Sequence, residues 1–311
     1  FDIGGTKCAV ITAAWDGESI ALLKKEKCAT DFTVSPEEMI RHLMDLADRM
    51  VGDDRIAAVG ISCGGPLDSG AGVIMGPPNL PGWNNVEIVK QISAHYHVPV
   101  HLQNDANACA VAEWKFGAGR GADNMVFLTF GTGLGAGLIL DGKLYSGTND
   151  NAGEAGHIRL ARTGPVGFGK SGSFEGFCSG SGIAQLGYTL ALEQVQQGNY
   201  PLYFRKGMTA EDVTAKTVAD AADAGDATAI KVYELCGEYL GCGLAVLIDI
   251  LNPQKIVIGS IFARRQDLLW EATKRVMDRE ALPQAAGACE VVPAGLGEHI
   301  GDYAALATAL L

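Results

Sequence analysis

Phe130-Gly131-Thr132-Gly133-Leu134-Gly135-Ala136-Gly137 is the stretch on which the reading of this chain turns. Its glycines loosely match G-x-G-x-x-G, a dinucleotide fingerprint that requires strand, glycine turn and helix within one unit. Here an apolar run over 125–130 precedes the glycines, and a second run over 136–140 follows them. Strand follows the turn, so the dinucleotide reading fails. The same arrangement opens the chain, where Asp2-Ile3-Gly4-Gly5-Thr6-Lys7 stands between short strands over 1–3 and 9–14. Backbone N–H groups can approach a phosphate closely where no Cβ obstructs them. A carboxylate at a strand end, as Asp2 is, can hold Mg²⁺ through water. Two strand–glycine–strand turns in tandem fit a nucleotide held between two lobes that repeat one theme.

Outward from these turns, the pattern alternates strands and helices. A third strand is expected over 20–28. Ser35-Pro36-Glu37-Glu38 is a capping box with proline at the first helical position, and Met39, Ile40, Leu43, Met44, Ala47 and Met50 recur at helical spacing. A central strand over 56–62, a helix over 85–97, a strand over 98–102 and a small-residue helix over 106–114 follow. The second half has strands over 125–130 and 136–140, then a long functional loop over 147–180. Helices are expected over 181–197, 210–223 (opened by a capping box at Thr209), 226–251 and 266–279, strands over 255–259 and 290–293, and a last alanine-rich helix over 303–311. The order predicts an α/β protein with mixed sheets. The expected lobes are 1–114, with the terminal helix 300–311 packing back on it, and 115–299.

Composition narrows the function. The 311 residues are 48% hydrophobic, enough for a large buried core, and carry a net charge of -12 from 36 acidic and 24 basic residues. That charge argues against nucleic acid or an anionic membrane as a partner, and no apolar run reaches the length of a membrane span. The 41 glycines fit tight turns and close backbone approach to a ligand. The eight scattered cysteines form no C-x-x-C pair and read as reduced thiols in a cytoplasmic protein. The chain opens without methionine inside a strand, so some native N-terminus is expected to precede it.

Gln103-Asn104-Asp105-Ala106-Asn107 lies where a strand meets the small-residue helix. An Asn or Asp there can simply cap the helix. Beside two phosphate-type turns, a carboxylate can also take the proton of a hydroxyl as it attacks phosphorus.

With these residues assembled, the sequence resembles the ROK family of sugar kinases and sugar-responsive repressors, within the sugar-kinase/actin/Hsp70 ATPase superfamily. Asp2 to Lys7 resembles the family's first phosphate motif and Gly131 to Gly137 its second. Asn252-Pro253 leading to Ile256-Val257-Ile258-Gly259-Ser260 resembles the adenosine motif, with Ser260 where a second glycine is more usual. Gly60 to Pro66, Asn79-Leu80-Pro81-Gly82-Trp83 and Gly153-Glu154-Ala155-Gly156-His157 resemble its sugar-side segments. The resemblance implies a two-lobed actin-like ATPase (ribonuclease H-like) fold with a ligand cleft between the lobes. It implies ATP with Mg²⁺ near Asp2 as cofactor, held by Asp2, Gly4, Gly5, Thr6, Lys7, Gly131, Thr132, Gly133 and Gly259. It makes Asp105 the catalytic base, and Gly65, Asn79, Asn104, Glu154, His157 and Glu175 the sugar-binding groups. Amides and carboxylates suit that task, because they pair with neighbouring hydroxyls. The implied reaction is ATP-dependent phosphorylation of a hexose, glucose at its 6-hydroxyl being the first expectation, by a homodimer. The alternatives are an N-acetylhexosamine (N-acetylmannosamine or N-acetylglucosamine) kinase of the family, or a sugar-responsive transcriptional regulator lacking its DNA-binding segment. A plain actin-like ATPase would not explain Asn79, Glu154 and Glu175.

The family commonly binds a structural zinc through the histidine matched by His157 and a downstream C-x-C-G-x-x-G-C segment. Here that segment reads Gly167-Phe168-Gly169-Lys170-Ser171-Gly172-Ser173, without a cysteine. No zinc is expected, and Phe168, Phe174 and Phe177 are expected to order the loop by packing instead.

Overall fold

The computed structural model describes residues 1–311. Two compact units divide the chain. The first comprises Phe1–Asp123, Gly137–Ala152 and Gly295–Leu311, and the second Asn124–Ala136 and Gly153–Ala294.

The first unit begins with strands β1 (Asp2–Ile3), β2 (Lys7–Trp15) and β3 (Ile20–Ala29), helix α1 (Pro36–Val51) and strand β4 (Val59–Cys63). The short pair β5 (Leu67–Asp68) and β6 (Val73–Ile74), helix α2 (Ile88–Tyr96), strand β7 (Val100–Asn104) and helix α3 (Asp105–Phe116) follow. The sheet order is β3-β2-β1-β4-β7. β1 runs parallel to β4, with Ile3 opposite Cys63, and β4 parallel to β7, with Cys63 opposite Asn104. Their C-terminal ends therefore lie along one sheet edge. Every residue of β4 is buried, Ser62 included, as expected of a central parallel strand. α1 forms where its capping box predicts. The Glu38 amide donates to Ser35 Oγ at 3.2 Å, the Ser35 amide to Glu38 Oε2 at 2.9 Å, and the Met39, Ile40, Leu43, Met44 and Met50 face is buried.

The remaining elements are β8 (Met125–Leu128), β9 (Ala136–Leu140), β10 (Lys143–Tyr145), β11 (Val166–Gly167), β12 (Lys170–Ser171), α4 (Phe174–Phe177), α5 (Gly180–Gln196), α6 (Ala215–Asp223), α7 (Ala227–Leu251), β13 (Lys255–Ile258), α8 (Ile261–Arg264), α9 (Gln266–Glu280), α10 (Pro283–Ala288), β14 (Glu290–Pro293) and α11 (Ile300–Thr308). In the second unit β13 lies between β8 and β14, all three parallel, with Ile258 opposite both Leu128 and Pro293. α7 packs along α9, where Gly237 and Gly241 leave room for the Leu269 and Thr273 carbonyls. As in the first half, β8 leads through a glycine turn to an antiparallel hairpin, β9 with β10. No helix is long and apolar enough to cross a membrane.

Several elements differ from the sequence reading. The stretch 147–180 is not one loop: it holds a 3₁₀ turn (Ala155–His157), the β11–β12 hairpin and α4. The Thr209 capping box opens only a 3₁₀ turn, Ala210–Asp212, and a second box at Thr214 starts α6. The expected helix over 85–97 is shorter, because Val86 pairs in a bridge with Ile74 before α2 begins. α10 is unforeseen, its PQAAGA sequence burying no residue and so showing no apolar period.

The unit limits also differ from the expected cuts after 114 and 299. Glu113, fully buried near the end of α3, accepts the amides of Ala118 at 2.8 Å, Gly295 at 3.0 Å and Leu296 at 2.9 Å. Both flanking segments are thereby fixed to α3, and α11 packs against α3 and β4. Gly137–Ala152 also falls with the first unit.

Candidate active site

The parallel register fixes the first unit's site. Gly4, Gly64 and Asp105 each follow directly on the C-terminal residue of β1, β4 and β7, the edge at which open α/β sheets bind ligands. Gly5 is packed against Asn79 so closely that a side chain at Gly5 would overlap the Asn79 carbonyl. The Asn79 amide group lies 3.3 Å from where a side chain on Gly64 would begin, and Asn104 Nδ2 lies 3.6 Å from the same point on Gly65. Gly5, Gly64, Gly65, Asn79 and Asn104 thus line one polar surface. Asn104 also caps α3, its Oδ1 accepting the Asn107 amide at 3.0 Å, which leaves its Nδ2 to face outward toward Gly65. Thr6 and Lys7 are exposed beyond the first turn, which is closed by the Gly4 amide donating to the Lys7 carbonyl at 3.2 Å.

Asp105 is the first residue of α3. Its carboxylate accepts the Ala106 amide at 2.8 Å. The residue reaches solvent, yet protein crowds its carboxyl group, and that burial raises its pKa above the ordinary carboxylate value while amide hydrogen bonds oppose the rise. Asp2 accepts no hydrogen bond from the protein, and its pKa is also raised. Burial is the main cause, with the carboxylates of Asp302 and Asp105 adding to it and the Phe1 amino group and Lys25 opposing. An enclosed carboxylate without a protein donor fits a hydrated divalent cation, which would supply the missing donors.

The second glycine turn is built inside the second unit. The Gly131 amide donates to the Gly133 carbonyl at 3.1 Å, and the turn is anchored from outside by Gly180, whose amide donates to the Gly131 carbonyl at 2.8 Å. Ser181 Oγ donates to the Thr132 carbonyl at 2.8 Å, leaving Thr132 itself exposed. Gly259 is buried at the end of β13, its amide bonded to the Leu128 carbonyl at 2.9 Å. Glu175, expected among the sugar ligands, is committed in part elsewhere. Its Oε2 accepts the Leu134 amide at 3.0 Å and lies 2.6 Å from where a Gly133 side chain would begin, so one carboxylate oxygen holds the turn in shape. Glu154 precedes the Ala155–His157 turn and His157 ends it, and both are exposed. His157 presents its ring to the edge of Phe168 at 6.4 Å.

The donor set beside His157 does not fit zinc, because 167–173 offers no thiolate and no three His, Cys, Asp or Glu side chains gather for a metal. Hydrogen bonds order the segment. Lys170 Nζ donates to the His157 carbonyl at 2.6 Å, Arg159 Nη1 to the Ser171 carbonyl at 2.7 Å, and Ser171 Oγ to the Gly164 carbonyl at 2.9 Å. The Gln185 side chain bonds both the amide and the carbonyl of Val166. Phe174 and Phe177 are buried, Phe177 stacked on Tyr239 at 3.4 Å. Phe168 contradicts the packing expectation: at the hairpin tip, with φ of 43°, it is 82% exposed.

Sequence reasoning placed Gly64 and Asn79 in separate sugar-side segments without pairing them, and it missed Glu113, whose partners are distant in sequence.

The profile of the ROK family matches residues 1–310. A glucokinase of Halalkalibacterium halodurans is 34% identical over 309 residues, covering 96% of this chain and 91% of that protein. A ROK family glucokinase from Streptomyces griseus, solved in complex with glucose and AMPPNP, superposes with a TM-score of 0.74 at 27% identity, over 99% of this chain and 96% of that one. A ROK family transcriptional regulator superposes at 0.82 with 23% identity, over 99% of this chain and 77% of that one, a likeness of fold alone. The fold is the actin-like ATPase fold. The chain belongs to the ROK family.

Proposed function

We infer that this sugar kinase transfers the terminal phosphoryl group of ATP to the 6-hydroxyl of a hexose, glucose first. The observation that carries the reading is Asp105. An enclosed carboxylate with a raised pKa stands at the strand edge beside Asn79 and Asn104, which offer amide groups to sugar hydroxyls. Resemblance to glucokinases over nearly the whole chain supports the same reading.

Bound MgATP supplies the phosphoryl group. Gly4 and Gly5 would present backbone to its phosphates and Asp2 would hold the hydrated Mg²⁺; the resemblance assigns Gly131 to Gly133 to the phosphates as well. Asn79 and Asn104 would hold hexose hydroxyls, and the resemblance assigns Glu154, His157 and the free oxygen of Glu175 to the sugar as well. Asp105, ionised, accepts the proton of the attacking hydroxyl. Its raised pKa makes it a stronger base than an ordinary aspartate. Positioning supplies much of the rate, on the order of 7–11 kcal/mol in well-oriented systems. A coupled assay across glucose, mannose, fructose, N-acetylglucosamine and N-acetylmannosamine tests the assignment. Preference for an N-acetylhexosamine would move the substrate to the second reading, and no phosphorylation of any hexose would remove the proposal.

A further inference from the structure

Ser260 stands out by its backbone. It has φ of 52° and ψ of -113°, outside the left-handed helical region that Asn252 (φ 45°, ψ 53°) and His97 (φ 54°, ψ 36°) adopt. Glycine enters this region freely, whereas a Cβ makes it costly. The strain is locked in by neighbours on both sides: the Gly259 amide donates to the Leu128 carbonyl at 2.9 Å and the Ile261 amide to the Phe130 carbonyl at 2.8 Å. Two strand ends thus hold the residue beside the second glycine turn. Its Oγ lies 3.7 Å from where a side chain on Gly131 would begin, the residue is partly open to solvent, and the hydroxyl makes no hydrogen bond within the chain.

A glycine would fill this position without strain and without a hydroxyl. Retaining serine keeps both, so the hydroxyl is the feature that strain is spent on. We propose that Ser260 Oγ is a nucleotide contact, donating a hydrogen bond to an oxygen of the ribose–phosphate portion of ATP as that portion lies along Gly131. The inference rests on the nucleotide reading of the second turn and adds to it a side-chain donor that the turn's backbone does not provide.

Two variants separate hydroxyl from strain. S260A removes the hydroxyl and keeps the Cβ, and S260G removes both. Calorimetric titration with AMPPNP is expected to show Kd raised by about 3- to 10-fold in both variants, the loss of one hydrogen bond, with the KM for hexose unchanged. Thermal unfolding of the unliganded proteins is expected to place S260G above S260A, because only the glycine relieves the backbone. AMPPNP affinity within twofold of the unmodified protein in both variants overturns the contact, provided that protein phosphorylates hexose. An S260G protein no more stable than S260A overturns the strain argument. Failure of the unmodified protein to bind AMPPNP at all instead removes the nucleotide reading beneath the proposal.

Discussion

At Asp105 the two demands of the proposed chemistry meet in one side chain. It must be charged to take a proton, and enclosed so that the proton it takes comes from the substrate. Burial raises its pKa, so activity needs pH above that raised value. The sign is fixed: kcat/KM rises with pH through an acid limb lying above the ~3.9 of a free aspartate and is lost as pH falls through it. A pH–rate profile reads the limb directly, and a profile flat down to pH 4 would contradict the role. Asn104 caps α3 and is proposed to bind the sugar as well. Asn104→Ala is expected to cost about 0.5–2 kcal/mol of stability by urea unfolding and to raise the KM for hexose. These residues were legible in the sequence because their chemistry belongs to the residue type at a strand end. Glu113 was not, since its three amide partners lie at 118, 295 and 296, and spacing alone does not bring them together.

At the scale of elements, the hairpin and short helix that follow His157 show what sequence periodicity reveals and what it hides. Phe174 and Phe177 read correctly as anchors because an apolar ring beside glycines has few other places to go. Phe168 misled for the same reason, since its place at the tip of a hairpin with strands of two residues overrides hydrophobicity. The contrast is measurable. Phe177→Ala is expected to cost about 3–5 kcal/mol and Phe168→Ala less than about 0.5 kcal/mol, both by denaturant unfolding. The second glycine turn depends on Glu175 in the same way. Glu175→Ala leaves the buried Leu134 amide without its acceptor, so a loss of about 1–3 kcal/mol is expected, together with weaker nucleotide binding.

For the whole molecule, the alternation of strands and helices and the two repeated glycine turns were enough to reach the α/β class and, through resemblance, the ATPase fold. The extent of each unit was only partly readable: the return of 300–311 to the first unit was expected, but 115–123, 137–152 and 295–299 also belong to it through tertiary contacts. Glu113 is one such tie. Glu113→Ala is expected to lower global stability by about 3 kcal/mol or more, as three amides lose one shared charged acceptor, and unfolding monitored by hydrogen exchange should show α3 and α11 losing protection together. The central claim is phosphoryl transfer with Asp105 as base, and one measurement tests it most directly: turnover of glucose with MgATP, the product's phosphate position read by NMR, beside nucleotide affinity, for the unmodified protein and Asp105→Ala. The account predicts phosphate on the 6-oxygen and a fall in kcat of about 10²–10⁴, with AMPPNP affinity nearly unchanged. Near-normal turnover by the Asp105→Ala protein would contradict it.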